Sequence, residues 1–470
     1  MNRPRRLYAL VDCSAFYCSC ERVFDPQLED VPVAVLSNND GCVIARSQEV
    51  KDGGIKMGAP FFKVRDELAA LGAKVFSSNY TLYGDMSRRV METLETFTPE
   101  IEVYSVDEAF LSMPTPAGSP AEVCVQMEEK AREIRQRVLR WTGIPVRVSF
   151  AETKTLAKAA SEWAKVRLRA GDKPCVCLWG HPDRDAWLEQ MDVGDVWGVG
   201  RRWSQRLRDL GGSTAAKLSR LPDRLIRSHF NVVLSRTAHE LRGVPCLQLE
   251  HAPITRQTLV KSRSFGEPTT ELAALSQAVA THAFRAAEKL RREGLVASQI
   301  SAFITTKSFG KGPHRSGAQG EALVEATSDA VELVAAAKRC LRRAYSETDS
   351  RGSPFRYRKA GVMLAEIRPL GTEQRALFTV PKTDGEREER AALMAALDAA
   401  NRRFGKRSVV VAAQGCPATL RKTRDGSSEA PTWEMRRERM SPRFTTRWDE
   451  LAVAVSGSPG FPNDGLAVAS

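Results

Sequence analysis

A chain of 470 residues is too long for one ordinary domain and predicts roughly three or four folded units, while 42% apolar and 27% charged content excludes disordered and fibrous classes. No apolar run approaches the roughly 20 residues that cross a bilayer; the basic residues 1–6 lead into an apolar stretch that meets Asp12, so a buried strand is expected rather than a signal peptide, no membrane partner, and a cytoplasmic location. The net charge of +13 makes nucleic acid the first partner to consider, although charge reports solubility and non-specific binding as readily.

Residues 7–11 form a short apolar run, the pattern of a buried strand that delivers Asp12 at its tip. Residues 31–60 combine a strand over 31–37, an Asn38-Asn39-Asp40-Gly41 turn and a Gly-rich segment closing in Gly58-Ala59-Pro60, which predicts a small insertion. A helix over 79–97 is followed by strands 101–104 and 109–112 flanking Ser105-Val106-Asp107-Glu108, then by a helix over 121–141 and a strand over 145–150. Strand, helix, hairpin, helix, strand is the split βαβ arrangement, which sets Asp12, Asp107 and Glu108 side by side on adjacent strands. A shorter helical region holds Trp197-Gly198-Val199-Gly200 before a second helix from Arg201. Residues 256–366 repeat the logic as βαββαβ, with strands 257–265, 298–306, 322–326 and 357–364 and helices 272–293 and 329–345. Beyond Pro369 the chain turns polar, with a helix over 387–404 and a Gly-, Pro-, Ser- and Ala-rich end from Ser456 expected to fray. The ten cysteines are scattered; Cys18/Cys20 and Cys175/Cys177 lack the partner pairs of a zinc site and read as reduced, buried, small hydrophobes.

Three acids converging from two strands suit phosphoryl transfer, in which two divalent ions ~3.5–4 Å apart neutralise phosphates and activate a hydroxyl. An Asp-Glu pair in a hairpin is also ordinary solvated turn chemistry. The surrounding residues separate the two readings. Asp12-Cys13-Ser14-Ala15-Phe16-Tyr17 and Tyr104-Ser105-Val106-Asp107-Glu108-Ala109-Phe110 resemble the metal-binding motifs of Y-family DNA polymerases. Ser37-Asn38-Asn39-Asp40-Gly41-Cys42-Val43-Ile44-Ala45-Arg46, Phe76-Ser77-Ser78-Asn79-Tyr80, His229-Phe230-Asn231-Val232-Val233-Leu234, Ser262-Arg263-Ser264-Phe265-Gly266 and Lys359-Ala360-Gly361-Val362-Met363-Leu364 resemble the UmuC type, the catalytic subunits of bacterial DNA polymerase V. The resemblance runs in order over roughly residues 7–370, with a weaker echo to about 450.

It implies an α+β multidomain fold, a right-handed polymerase with a ferredoxin-like palm (1–24 and 79–180), small fingers (25–78), a helical thumb with a helix-hairpin-helix (181–250) and a βαββαβ little finger (251–370). A clamp-binding linker (371–382), a UmuC-type C-terminal segment (383–455) and a disordered tail (456–470) follow. The implied activity is error-prone translesion synthesis: template-directed addition of deoxynucleotides to a primer across damaged DNA, in SOS mutagenesis and repair. Two Mg2+ ions would be held by Asp12, Asp107, Glu108 and the backbone carbonyl of Cys13. Retention of all three acids favours an enzyme over a non-catalytic DNA-damage scaffold that binds DNA and the sliding clamp. A nucleotidyl cyclase, which also pairs acids on a split βαβ palm, would need neither thumb nor little finger.

By the same resemblance Tyr17 is a steric gate against a 2'-hydroxyl, with Phe16 beside it; taken alone, both are ordinary core aromatics. Lys51 and Lys165 align with triphosphate-binding positions, and surface lysines are their bland alternative. Gln48 replaces a common Tyr and Lys51 a common Arg, a departure for which Arg46 is a candidate compensation. Gly198 and Gly200 fit a hairpin that brings backbone N–H groups to a DNA phosphate, or a plain αα-turn. Strand alternation puts Lys261 and Arg263 on one face as phosphate contacts. Gln374-Arg375-Ala376-Leu377-Phe378 fits the Q-x-x-L-F form of a clamp peptide, with Gln374, Leu377 and Phe378 as anchors. Expected partners are primer-template DNA, deoxynucleoside triphosphates, the sliding clamp and, by family association alone, a processed UmuD-type dimer and a RecA filament.

Overall fold

The apolar run after Arg5 becomes strand β1 (Arg6–Cys13), and alternation along it decides what packs on either side. The computed structural model describes residues 5–169, 175–250, 256–306, 312–372, 383–405, 407–415 and 435–452. They fall into two units: Met1–Ser37, Gly41–Ala252 and Arg439–Ser470 in one, Asn38–Asp40 and Pro253–Glu438 in the other.

In the first unit β1 is followed by helix α1 (Phe16–Phe24), strands β2 (Val33–Leu36) and β3 (Val43–Arg46), helices α2 (Gln48–Asp52) and α3 (Phe61–Ala70), strand β4 (Lys74–Ser77) and helix α4 (Tyr80–Glu95). Next come strands β5 (Ile101–Val103) and β6 (Glu108–Pro114), helix α5 (Pro120–Thr142), strand β7 (Val146–Ala151), helix α6 (Lys154–Arg169) and strand β8 (Cys175–Cys177). The main sheet has the order β5-β6-β1-β7-β8, so β1 sits between the hairpin strand β6 and β7. Leu7, Ala9 and Val11 enter the core that Leu82 of α4 and Val123 and Ile134 of α5 complete. Leu10 points the other way, into a core with Leu156 and Ala160 of α6. Helix α5 is long because Ser119 and Glu122 close a capping box at its start and Gly143, at φ 71°, ends it.

The expected small insertion forms its own three-stranded sheet, β3-β2-β4, over a core of Ala34, Leu36, Val43, Val50, Ile55, Val64 and Leu68. Helices α7 (Arg184–Gln190), α8 (Arg201–Asp209), α9 (Ala215–Arg220), α10 (Asp223–His229) and α11 (Val232–Leu241) complete this unit's regular structure.

The second unit contains strand β9 (Thr258–Thr269), helix α12 (Leu272–Arg292), strands β10 (Leu295–Thr306) and β11 (Ser316–Thr327), helix α13 (Ala330–Ala344), strand β12 (Tyr357–Pro369) and helix α14 (Asp384–Arg403). Its sheet has the order β11-β10-β12-β9, with Leu259, Phe265, Ile300, Ala302, Ile304, Val362 and Leu364 sharing a core with α12 and α13. Helix α14 joins through Met394 and through Asp398, which accepts from Nε and Nη2 of Arg291 at 2.8 and 2.7 Å. Strand β11 starts at Ser316 rather than 322: its polar Ser-Gly-Ala-Gln-Gly-Glu opening has no apolar alternation, and pairing with β10 carries it. Among the described residues no helix is long and apolar enough to cross a membrane, and no disulfide joins two cysteines.

A buried ion pair fastens β5 to the chain after α11. Lys154 Nζ donates to both Glu102 oxygens at 2.9 and 2.6 Å and to the Gln248 carbonyl at 3.2 Å, and the side chains are 5% and 9% exposed. Removing one partner strands a buried charge. Lys154→Met should therefore lower unfolding free energy by roughly 3–5 kcal/mol, and adding Glu102→Gln should restore part of it, as read by urea denaturation.

Candidate active site

Antiparallel registry places Asp12 of β1 directly opposite Glu108 of β6 and, on the other side, opposite Arg147 of β7. Residues directly opposite project to the same face, so two acids and one guanidinium share the face on which Leu10 meets α6. Arg147 Nη2 lies 2.9 Å from Asp12 Oδ2, and its Nη1 donates to Ser14 Oγ at 2.9 Å. From α6, Lys165 Nζ stands 3.5 Å from Asp12 Oδ2 and 2.6 Å from Glu162. Lys158 Nζ donates to both oxygens of Glu108 at 2.8 Å, with the Tyr104 ring 4.5 Å away.

Asp107 is joined to the other two acids through the backbone: Cys13 N donates to its carbonyl at 2.8 Å. Its side chain is held by Ser105, whose Oγ donates to Oδ1 at 2.5 Å and accepts from the Asp107 N–H at 3.2 Å. Burial first, then the charges of Asp12 and Asp107 with a smaller part from Glu108, push the Cys13 thiol well up. Cys13 is therefore a neutral thiol within electrostatic reach of all three acids, and only its carbonyl can serve as a hard-cation ligand. Among the described residues no three acidic, histidine or cysteine side chains form a ready-made metal cluster. Asp12 and Glu108 are held by basic side chains and Asp107 by Ser105, yet the donor set is all oxygen, which suits a hard divalent cation.

The structure thus sets Asp12 beside Glu108 and Lys165, and joins Asp107 to Cys13 through the backbone. Phe16 is 4% exposed and belongs to the core, whereas half-buried Tyr17 stacks on Tyr83 with centroids 4.4 Å apart and 17° between planes, and meets Tyr80 edge-on at 6.3 Å. Burial, then Tyr80 and Asp107, raise the Tyr17 hydroxyl's pKa, so its ring lies within reach of the Asp107 charge. Arg46 Nη1 donates to the Ile55 carbonyl, and its buried Nε has no hydrogen-bond partner among the described residues. Lys51 is in the last turn of α2, where its charge reaches the Cys18 thiol beside Tyr17; Gln48 donates to Asp52 at 2.7 Å.

Gly198 has φ 86°, and Gly200 caps the start of α8; a Cβ at Gly200 would meet nothing within 4 Å, so the backbone there is open to close approach. In the second unit Lys261 and Arg263 do share a face of β9, and it is the helix-backed face of Leu259 and Phe265. Burial, then Lys289, Arg292, Arg285 and Arg256, lower the Lys261 pKa, which marks a basic cluster. Gln374, Leu377 and Phe378 lie outside the described residues, as does Trp433.

Sequence reasoning missed Arg147, Lys158, Ser105 and Tyr83. Lys158 and Lys165 recur at helical spacing on α6, a legible signal; Arg147 needs the strand register. Ser105→Ala should weaken the apparent affinity for Mg2+ by about 10–100-fold without shifting thermal unfolding, as measured by metal titration of primer extension.

Residues 11–162 match the impB/mucB/samB family model, residues 256–377 the impB/mucB/samB family C-terminal domain, and residues 391–454 a domain of unknown function. Protein UmuC of Salmonella typhimurium is 42% identical over 446 residues, 95% of this chain and 99% of the relative. Protein ImpB of Salmonella typhimurium is 41% identical over 96% of this chain and 100% of the relative. DNA polymerase IV of Moorella thermoacetica is 27% identical over 85% and 94%. A solved Y-family DNA polymerase chimera shares the fold, with TM-score 0.57 and 19% identity over 77% of this chain and 99% of that one. The chain belongs to the impB/mucB/samB family, the UmuC type of Y-family DNA polymerase.

Proposed function

We propose that this error-prone translesion polymerase joins deoxynucleotides to a primer 3' end at the Asp12, Asp107 and Glu108 cluster. The observation that carries the reading is the register of β1, which sets Asp12 opposite Glu108 while the Cys13 N–H binds the Asp107 carbonyl. Y-family polymerases use divalent metal ions; when bound, two Mg2+ would neutralise the triphosphate and activate the primer hydroxyl.

The three carboxylates and the Cys13 carbonyl would hold the ions. Lys165, with Arg46 and Lys51, holds the triphosphate, and Arg147 and Lys158 fix the acids they pair with. The Tyr17 ring, set against Tyr83, excludes a 2'-hydroxyl, with Phe16 as its core support. Gly198, Gly200, Lys261 and Arg263 bind DNA phosphates. Gln374, Leu377 and Phe378 dock the sliding clamp, and a processed UmuD-type dimer and RecA filament assist in the cytoplasm. Palm 1–24 and 79–180, fingers 25–78, thumb 181–250 and little finger 251–370 are the corresponding domains.

Extension of a labelled primer opposite an abasic site, with Mg2+ and accessory proteins present, tests the reading. Wild type should extend the primer, and Asp107→Ala should lose at least roughly 100-fold in rate with DNA affinity kept. Intact DNA binding with no extension by wild type under any condition would point to the scaffold instead.

A further inference from the structure

The C-terminal residues 439–444 return to the first unit and sit behind the two helices that carry the site's tyrosines. Ser77 N donates to the Arg439 carbonyl at 2.9 Å and Arg439 N donates to Ser77 Oγ at 3.0 Å, so the segment is bonded in both directions to the end of β4. Asn79, the N-cap of α4, accepts from Leu82 N with Oδ1 and donates with Nδ2 to Ser441 Oγ, the Ser441 carbonyl and the Pro442 carbonyl at 3.0, 3.1 and 3.0 Å. Phe444 stacks on Phe24 at the end of α1, with centroids 4.7 Å apart and 7° between planes.

Between these anchors runs a buried polar chain. Ser441 Oγ donates to Glu21 Oε1 at 3.1 Å, and Tyr83 Oη donates to the same oxygen at 2.6 Å. Glu21 is 2% exposed, one helical turn beyond Tyr17 on α1, and burial pushes its carboxyl up to about 7 against the two hydroxyls that pull it down. A carboxyl kept in such a place has a demanding geometry, because a buried acceptor left unpaired is costly. The far end of the chain is the ring on which Tyr17 stacks.

We propose that residues 439–444 are a strap that sets the strictness of sugar selection, with Ser441, Glu21 and Tyr83 as positioning residues for Tyr17. The inference rests on Tyr17 being the steric gate. Cutting the chain frees the Tyr83 ring to shift, and the Tyr17 ring stacked on it shifts too, away from the place where a 2'-hydroxyl collides. Deoxynucleotides, which lack that atom, are affected less.

The full-length chain is assayed for single-nucleotide insertion on an undamaged template, with ribo- and deoxyribonucleoside triphosphates given separately. The ratio of their kcat/KM values is the readout, and partial unfolding cancels from it because one preparation serves both substrates. Ser441→Ala and Tyr83→Phe should each raise the ribo-to-deoxy ratio about two- to tenfold, the range spanned by one hydrogen bond. In a Tyr17→Ala background, which itself raises the ratio, Ser441→Ala should add nothing. A raised ratio for Tyr17→Ala with no change for Ser441→Ala and Tyr83→Phe overturns the strap and leaves the gate standing. An effect of Ser441→Ala that persists undiminished without Tyr17 overturns the route through that ring. An unchanged ratio for Tyr17→Ala sinks the gate reading itself.

Discussion

Concentrating three carboxylates at the end of one strand pair is the constraint around which the first unit is arranged. Two like charges ~4 Å apart at an effective dielectric of ~20 repel by about 4 kcal/mol, a large fraction of a domain's net stability. The fold answers with cations at matching places: Arg147 across the register from Asp12, Lys158 on Glu108 and Lys165 near Asp12.

The strand that creates the charge problem also separates it from the aromatic wall. Leu7, Ala9 and Val11 face α4 and α5, Leu10 and Asp12 face α6, and the chain then turns at Ala15, a non-glycine residue at φ 45° that caps α1 without a side-chain bond. Left-handed backbone at an alanine is unfavourable and persists where the surroundings over-determine it. Here Ser14 N is bound by the Pro145 carbonyl and Ser14 Oγ by Arg147, on the near side of the turn. The turn lets Tyr17 reach the Asp107 charge while its ring rests on α4.

Elements whose apolar period is strong were legible in the sequence: the run 7–11, the helix 121–141 and the helices of the second βαββαβ arrangement coincide closely with β1, α5, α12 and α13. So was the pairing of Asp12 with Glu108, because strand, helix, hairpin, helix, strand admits few ways to pair. The polar start of β11 was not, since an edge strand is held by its neighbour's hydrogen bonds and carries little pattern of its own. Arg147 and the Tyr83–Glu21–Ser441 chain were hidden for another reason. Each joins residues distant in sequence through a register or a helix face, and a lone Arg, Glu or Ser carries no trace of the partner that folding supplies.

The second unit repeats, with the sign reversed, the logic of the first. Lys261 and Arg263 sit on the helix-backed face of an edge strand with Arg285, Lys289 and Arg292 close by; burial, followed by their charges, keeps Lys261 below the usual lysine range. Buried His282 is pushed down to about 3 mainly by desolvation, then by Arg285, Arg263 and Lys261, so it remains neutral and adds no further charge. Glu293 stands among these bases, 3.1 Å from Arg256 Nε and 3.7 Å from Lys289 Nζ. Like charges gathered in this way repel one another, and Glu293 offsets part of that repulsion. In each unit, then, folding gathers like charges and sets opposite charges beside them: Arg147, Lys158 and Lys165 for the acids, Glu293 for the bases.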